Sequence, residues 1–417
     1  KPGVGTTDYH YETWYAASNF LSYGGKLDIV RCVGGDLNTA NSAVGLANTT
    51  LLLEGLEDYN NNQADDTNWY FAAKNPGNWA ENIKVAIIDN AADQIITPTL
   101  ETGTIAATKV GFAVTQHLTG NTIGVGTVTA ATGILKGVVT GKTATTIDVR
   151  VVSTVIAGSE VLVDYQQNSQ FEFKTGTMLN IVNNSGTTVG KSSTVTSVDW
   201  YNSQNILTSV ADGGSDFTTI KWRAVLNKPK TNNYVSKRDG ANDALHVVVI
   251  DAGGGVTGDV GSILEKFANL SKAKDGVASG NESVYYKDFL ATNSEYVFSG
   301  AHVTQADDSV QGTLVLPGGI TGFTSITAAE GSWGQDAKNI KFSSIGNQGY
   351  DLTGGLDYTG VGVYDAPLGD ILTSYDKFSD PVDSDIRFLL QGCASKSKEE
   401  EQALSLIHIS EPTRPLT

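Results

Sequence analysis

His246-Val247-Val248-Val249-Ile250-Asp251 leads into Gly253-Gly254-Gly255-Val256-Thr257-Gly258, and then into Ile263, Leu264, Phe267 and Leu270. The reading of the fold turns on this stretch. Its opening run is the β-branched kind that a sheet buries on both faces. The glycines mark a tight turn. The four apolar residues beyond them recur at helical spacing and predict a helix. Strand, glycine turn and helix together are α/β material, and the loop fits the pattern G-x-G-x-x-G. In a dinucleotide site such glycines let a pyrophosphate approach the backbone, with a helix N-terminus facing its charge. Here Asp251 and Asp259 flank the loop and repel a diphosphate. The loop holds no Lys or Arg, and a chain with 46 glycines matches the pattern easily. It reads as a structural strand-to-helix turn, with a nucleotide-binding enzyme as the alternative.

Working outward, the first 89 residues are mixed α and β. Trp14, Ala17, Phe20 and Leu21 share a helical face ended by Tyr23-Gly24-Gly25. Leu27 to Val33 reads as a buried strand, residues 50 to 62 as a helix or irregular connection, and Ile83 to Ile88 as a strand. From about 95 to 165 the chain turns rich in Thr, Val, Ile and Gly and poor in charge. Alternating sets recur there: Ile123, Val125 and Thr127; Ile147, Val149 and Val151; Val161, Val163 and Tyr165. Turn signals at 140–142 and 157–159 separate them, which predicts an all-β module inserted at a loop tip. Residues 166 to 230 remain strand-rich and carry Trp200, Tyr201 and Trp222. Beyond the glycine loop, Tyr285, Tyr286 and Phe289 precede a strand at 296–298. Asn339 to Ser343 reads as a strand, 372–378 as helical, Ile386 to Leu390 as a strand, and Ser397 to Glu400 has capping-box spacing.

The chain has 417 residues and 44.0 kDa. At roughly 150 residues per domain it is multi-domain. Its net charge of -17 argues against a nucleic-acid or anionic-membrane surface. Cys32 and Cys393 stand too far apart in sequence to suggest a disulfide scaffold, and Cys32 reads as a small core residue. No apolar run reaches the ~18 residues of a membrane span. The opening Lys1-Pro2-Gly3 shows no signal-peptide pattern. Residues 404–417, beginning Leu404-Ser405-Leu406-Ile407-His408-Ile409, resemble the translation of a sequencing adapter and are set aside as a scar. The native ends are expected to lie outside the chain.

Catalytic chemistry is weakly signalled. Asp251, His302 and Ser325 follow the chain order of a subtilisin-like triad, yet Ala301-His302-Val303 and Thr324-Ser325-Ile326 lack the helix-starting motifs that build its geometry. His10, His117, His246 and His302 show no i, i+4 pairing and no nearby Cys. Glu54, Glu57 and Asp58, with Asp65-Asp66, read as solvated loop acids lacking the calcium-loop pattern. Glu399-Glu400-Glu401 reads as a solvated first helical turn. The expectation is no catalytic, cofactor-binding or metal-binding residue, and therefore a structural or interaction protein.

Several strings taken in order resemble the tail sheath proteins of contractile-tailed bacteriophages, the myovirus type. They are Trp14 to Gly24 with Leu27 to Val33; Asn75-Pro76-Gly77-Asn78-Trp79 through Val85; Asp199-Trp200-Tyr201 with Lys221-Trp222; Asn242 to Ala273 with Tyr285 to Asp288; and Leu352-Thr353-Gly354-Gly355-Leu356-Asp357. The resemblance implies an α/β core of subtilisin-like sheath fold without catalysis. It implies a discontinuous middle domain over 1–90 and 166–335, an outward-facing inserted β domain over 91–165, and the start of a lattice-forming C-terminal domain over 336–403. It further implies a virion subunit that stacks with copies of itself in helical rings around the tail tube protein. Baseplate and tail terminator proteins would flank the stack, with no direct nucleic acid and no stable membrane insertion. Contraction would drive the tube through the host envelope, and extended arms would add strands to neighbouring subunits. A β-rich surface adhesin is a further alternative, favoured only by the composition of the insertion.

Overall fold

The computed structural model describes residues 10–29, 32–35, 37–44, 50–63, 66–117, 122–123, 126–127, 134–156, 159–165, 167, 171–175, 179–183, 186–208, 219–303, 330–331, 333–357 and 368–376. Ser325, Cys393, the 386–390 strand, the 397–400 capping box, Glu399 to Glu401 and the 404–417 segment lie outside them. The chain divides into two compact units, residues 82–351 and residues 1–81 with 352–417. The described residues are mostly β-sheet, in several separate sheets.

In the 82–351 unit a four-stranded sheet runs in the order Ser262–Ser271, Ala244–Asp251, Ile83–Asp89, Asn347–Asp351. Every pairing is antiparallel. The Ala244–Asp251 strand is buried along its whole length, as its β-branched run requires. The helix expected over 263–270 is instead a strand, which makes the glycine turn a hairpin. The cause is visible in the register. Leu245 faces Leu270 and Val247 faces Phe267, so the second strand carries an extra residue; Val249 faces Glu265 and Ile250 faces Ile263, so it carries another. Two bulges break the period of two and leave apolar residues at 263, 264, 267 and 270, which imitates a helical stripe. Asn269, in the first bulge, takes the left-handed φ of 56°. Over one face of the sheet, Trp200, Tyr201 and Trp222 pack with Ala86, Ile88, Val248 and Ile250. The aromatic residues before the 296–298 strand lie at the start of a helix, Tyr286–Asn293, whose Phe289 ring meets Phe267 edge-on at 5.8 Å.

The charge-poor segment folds into a closed antiparallel barrel. Gln94–Thr102 pairs with Thr188–Asp199, which pairs with Leu179–Val182. That strand pairs with Ala113–His117, which pairs with Ile134–Lys142. Ile147–Ile156 joins both Ile134–Lys142 and residues 94–96, closing a ring of six strands, and Ser159–Leu162 adds outside it. Closure gives each strand of the ring a partner on both sides, over residues 94–96 alone where the first strand meets the closing one. The barrel runs past residue 165, because its ring is incomplete without 179–182 and 188–199. Its first and last positions are partners, Gln94 with Asp199. The sequence's turn signal at 140–142 falls at the end of a strand; the turn itself is at Thr143–Thr146, where Thr143 N donates to Thr146 O.

The barrel interior is apolar: Ile96, Val114, Leu135, Val139, Ile147, Val149, Leu179 and Ile181 are buried together with Phe173. Phe173 belongs to no strand. Two glutamines clasp its segment as a ladder would. Gln94 donates Nε2 to Phe173 O at 3.1 Å and accepts Phe173 N at 2.7 Å. Gln116 does the same for Lys174, at 3.0 and 2.6 Å. Gly137 makes room for the ring, since a Cβ there would sit 2.9 Å from Phe173 Cε2.

In the other unit the expected helix is present as His10–Ser22. The strand expected over 27–33 is not formed among its described residues, and Ile29 is exposed. Residues 56–63 form a helical turn, Leu56–Asp58, running into a π-helix, Tyr59–Gln63. Asn41–Ala43 pairs with Trp69–Ala73. Residues 38–41 also pair with the 353–356 segment: Asn38 N donates to Leu356 O, Leu356 N to Asn38 O, and Asn41 and Thr353 exchange both of their bonds. Gly77 N donates to Asn38 O at 3.0 Å from the other side. A Cβ on Gly355 would overlap the Gly77 carbonyl, so the Leu-Thr-Gly-Gly and Pro-Gly strings meet at a contact that only glycine permits.

Candidate functional site

The glycine loop is the first candidate. It joins two antiparallel strands, so no helix starts at its end, and its interior is already occupied by a carboxylate. Asp251 Oδ2 accepts Val256 N at 2.9 Å, Thr257 N at 2.7 Å and Thr257 Oγ1 at 2.9 Å. Gly254 and Gly258 supply the positive φ values, 74° and 90°, that curl the loop around this acceptor. A phosphate would have to displace a fully buried Asp251 side chain to reach the same N–H groups.

Asp251 and His302 are not brought together as a triad needs. The Asp251 carboxylate serves the loop, whereas His302 Nδ1 lies 2.9 Å from Tyr286 Oη. Tyr286 packs edge-on against both Tyr285 and Trp333, at 5.3 and 5.4 Å between ring centroids. The site around His302 is thus an aromatic cluster.

Its neighbour is a buried ion pair that the sequence did not single out. Asp89 ends one strand and Lys272 follows another. Lys272 Nζ donates to Asp89 Oδ2 at 2.7 Å and to the carbonyls of Asn242 and Ser343, both at 2.9 Å. It also sits 4.9 Å from the centre of the Trp333 ring. Asp89 in turn accepts Ile345 N and Gly346 N. One residue away, Asp243 accepts Asn232 N, Asn232 Nδ2 and Ser271 Oγ. The only sign in the sequence was that Asp243 and Lys272 fall inside the string with family resemblance. Nothing local in the text pairs Lys272 with Asp89.

His246 lies on the central strand. It accepts the bulged Asn269 N at Nδ1, 3.0 Å away, so the proton sits on Nε2 and is donated to Asn227 O at 2.7 Å. Burial pushes its pKa below the usual histidine value. Asp148 has the opposite problem: burial raises its pKa, while Trp200 Nε1 donates to it at 3.1 Å.

Among the described residues no three His, Cys, Asp or Glu side chains gather where a metal could sit, and no helix is long and apolar enough to cross a membrane. The contacts of Asp251, His246, Asp89 and Lys272 fix loops and strand ends. None of them sets a serine, threonine or cysteine against a histidine.

No family model, no curated protein and no solved structure matches this chain.

Proposed function

We propose that the chain is a structural subunit of a contractile bacteriophage tail sheath, working by mechanical cooperation among copies of itself and without catalysis. The observation that carries the reading is the ordered set of sheath-like strings, from Trp14 to Asp357. Where they are described, these strings supply structural contacts. Gly355 lies against Gly77, and Asn242, Asp243 and Lys272 hold the buried polar cluster. Under this reading the four-stranded sheet and the Tyr286–Asn293 helix belong to the non-catalytic, subtilisin-related sheath core. The closed barrel is a peripheral module. Its partners are further sheath copies, the tail tube protein, and the baseplate and terminator proteins at the two ends of the tail, all within the virion. A net charge of -17 suits a subunit that surrounds a protein tube and touches no nucleic acid.

Immunogold microscopy tests this. Antibody raised against the 417-residue chain is expected to decorate contractile tails along their length in particles from the source sample. The gene is expected to lie beside a tail-tube gene. Labelling confined to another particle or to cells, with metabolic genes on both sides, would refute the reading. So would saturable NAD or ATP binding in equilibrium dialysis that Gly255→Asp abolishes.

A further inference from the structure

A hollow of 620 Å³ opens beside the clasped segment of the barrel. Its walls come from residues 172–175, the end of the Thr188–Asp199 strand, Asn202 and Ser203 of the turn that follows, and Tyr165. That volume falls in the range of small-ligand sites, roughly 300–1,000 Å³.

Most polar groups in these walls are already tied down. Tyr165 Oη donates to Asp199 Oδ2 at 3.0 Å, and Asn202 N donates to Asp199 Oδ1 at 2.8 Å. Glu172 pairs with Lys174, whose backbone is held by Gln116. Thr175 Oγ1 accepts Ser197 N. Two side chains in the lining are different. The amides of Gln167 and Asn202 make no hydrogen bond to any described residue. Each offers two donors and an acceptor to whatever enters. Beside them stand the fixed Tyr165 ring and Val198, which is 47% exposed.

Charge narrows the choice of ligand. Glu172 and Lys174 cancel, which leaves the Asp199 carboxylate, already holding two hydrogen bonds. No cation in the lining is free to draw an anion. A fixed aromatic ring, an apolar patch and two uncommitted amides match a ligand that carries both hydroxyls and an apolar ring face.

We infer that this hollow binds a neutral saccharide unit. The inference rests on the barrel alone and stands apart from the sheath reading. The full chain is titrated by calorimetry with maltose, lactose and N,N′-diacetylchitobiose, and co-sedimented with amylose and chitin. The first arm reads free sugars, and the second reads the same chemistry presented on a polymer. Phosphate and citrate serve as anionic controls. At least one saccharide or polymer is expected to bind saturably, and Asn202→Ala or Gln167→Ala to weaken it about tenfold. Asn202→Ala keeps the backbone N–H that holds Asp199, and Gln167 is exposed, so an unchanged circular dichroism spectrum is expected for both variants. No saturable binding to any sugar or polymer overturns the inference. So does binding that both variants leave intact, or binding displaced by phosphate or citrate.

Discussion

Lys272 Nζ lies 2.7 Å from Asp89 Oδ2, and neither side chain has any exposed surface. The ammonium has three acceptors and the carboxylate three donors, so the pair is fully satisfied at a place where water cannot help. Such a pair does little for net stability against an apolar substitute, but breaking it is costly, because one charge is left buried alone.

Lys272→Met is therefore expected to destabilise the chain by about 3–5 kcal/mol in urea unfolding. Adding Asp89→Asn, which removes the lone buried charge and keeps an acceptor for one of Ile345 N and Gly346 N, is expected to recover part of the loss. A single variant as stable as the parent would show that the pair is not formed.

Gly355→Ala places a methyl group on the Gly77 carbonyl. The 353–356 segment must then move off residues 38–41. We expect a loss of about 1–3 kcal/mol and faster amide hydrogen exchange at Asn38, Asn41, Thr353 and Leu356. Unchanged exchange at these four amides would remove the contact from the fold.

His246 makes stability depend on pH. Its folded pKa lies below the unfolded value of 6.5, so the unfolded state takes up the proton first as pH falls. The contribution is complete above about pH 6.5 and declines below it, at no more than about 1.4 kcal/mol per pH unit. In His246→Phe this part of the decline is expected to vanish. An equal slope in both proteins would assign the effect elsewhere.

Asp148 acts in the opposite sense. Its folded pKa is raised, so the folded state holds the proton better than the unfolded one, and the charged form is penalised as pH rises. Asp148→Asn keeps an acceptor for Trp200 Nε1 and removes the buried charge. We expect a gain of about 1 kcal/mol at neutral pH that shrinks toward acid. A variant less stable than its parent at pH 7 would mean that the carboxylate is worth more than its burial costs.

The barrel was legible where its strands keep strict alternation. Ile147, Val149 and Val151 all point inward, as period two demands. Trp200 and Trp222 stood out only as aromatics in strand-rich text; that they share a core with Ala86 and Val248 is set by the fold. The hairpin after Asp251 was misread because its two bulges shift the apolar positions out of phase. The glutamine clasp was beyond reach of any local pattern: Gln94 and Gln116 hold residues 79 and 58 positions away. The same holds for Asp89 and Lys272, 183 positions apart, whose meeting depends on strands that first have to pair. In the hollow, Asn202 and Gln167 sit in polar text that offers no motif. Only the fold sets them around one space.

Gln94 and Asp199 stand across from each other on one rung, so the polypeptide departs for the barrel and comes back at nearly the same point. A cassette mounted this way can be exchanged or dropped by recombination without rethreading the sheet beneath it. The sheet keeps its own strand order whatever the cassette contains, since none of its four strands passes through the ring.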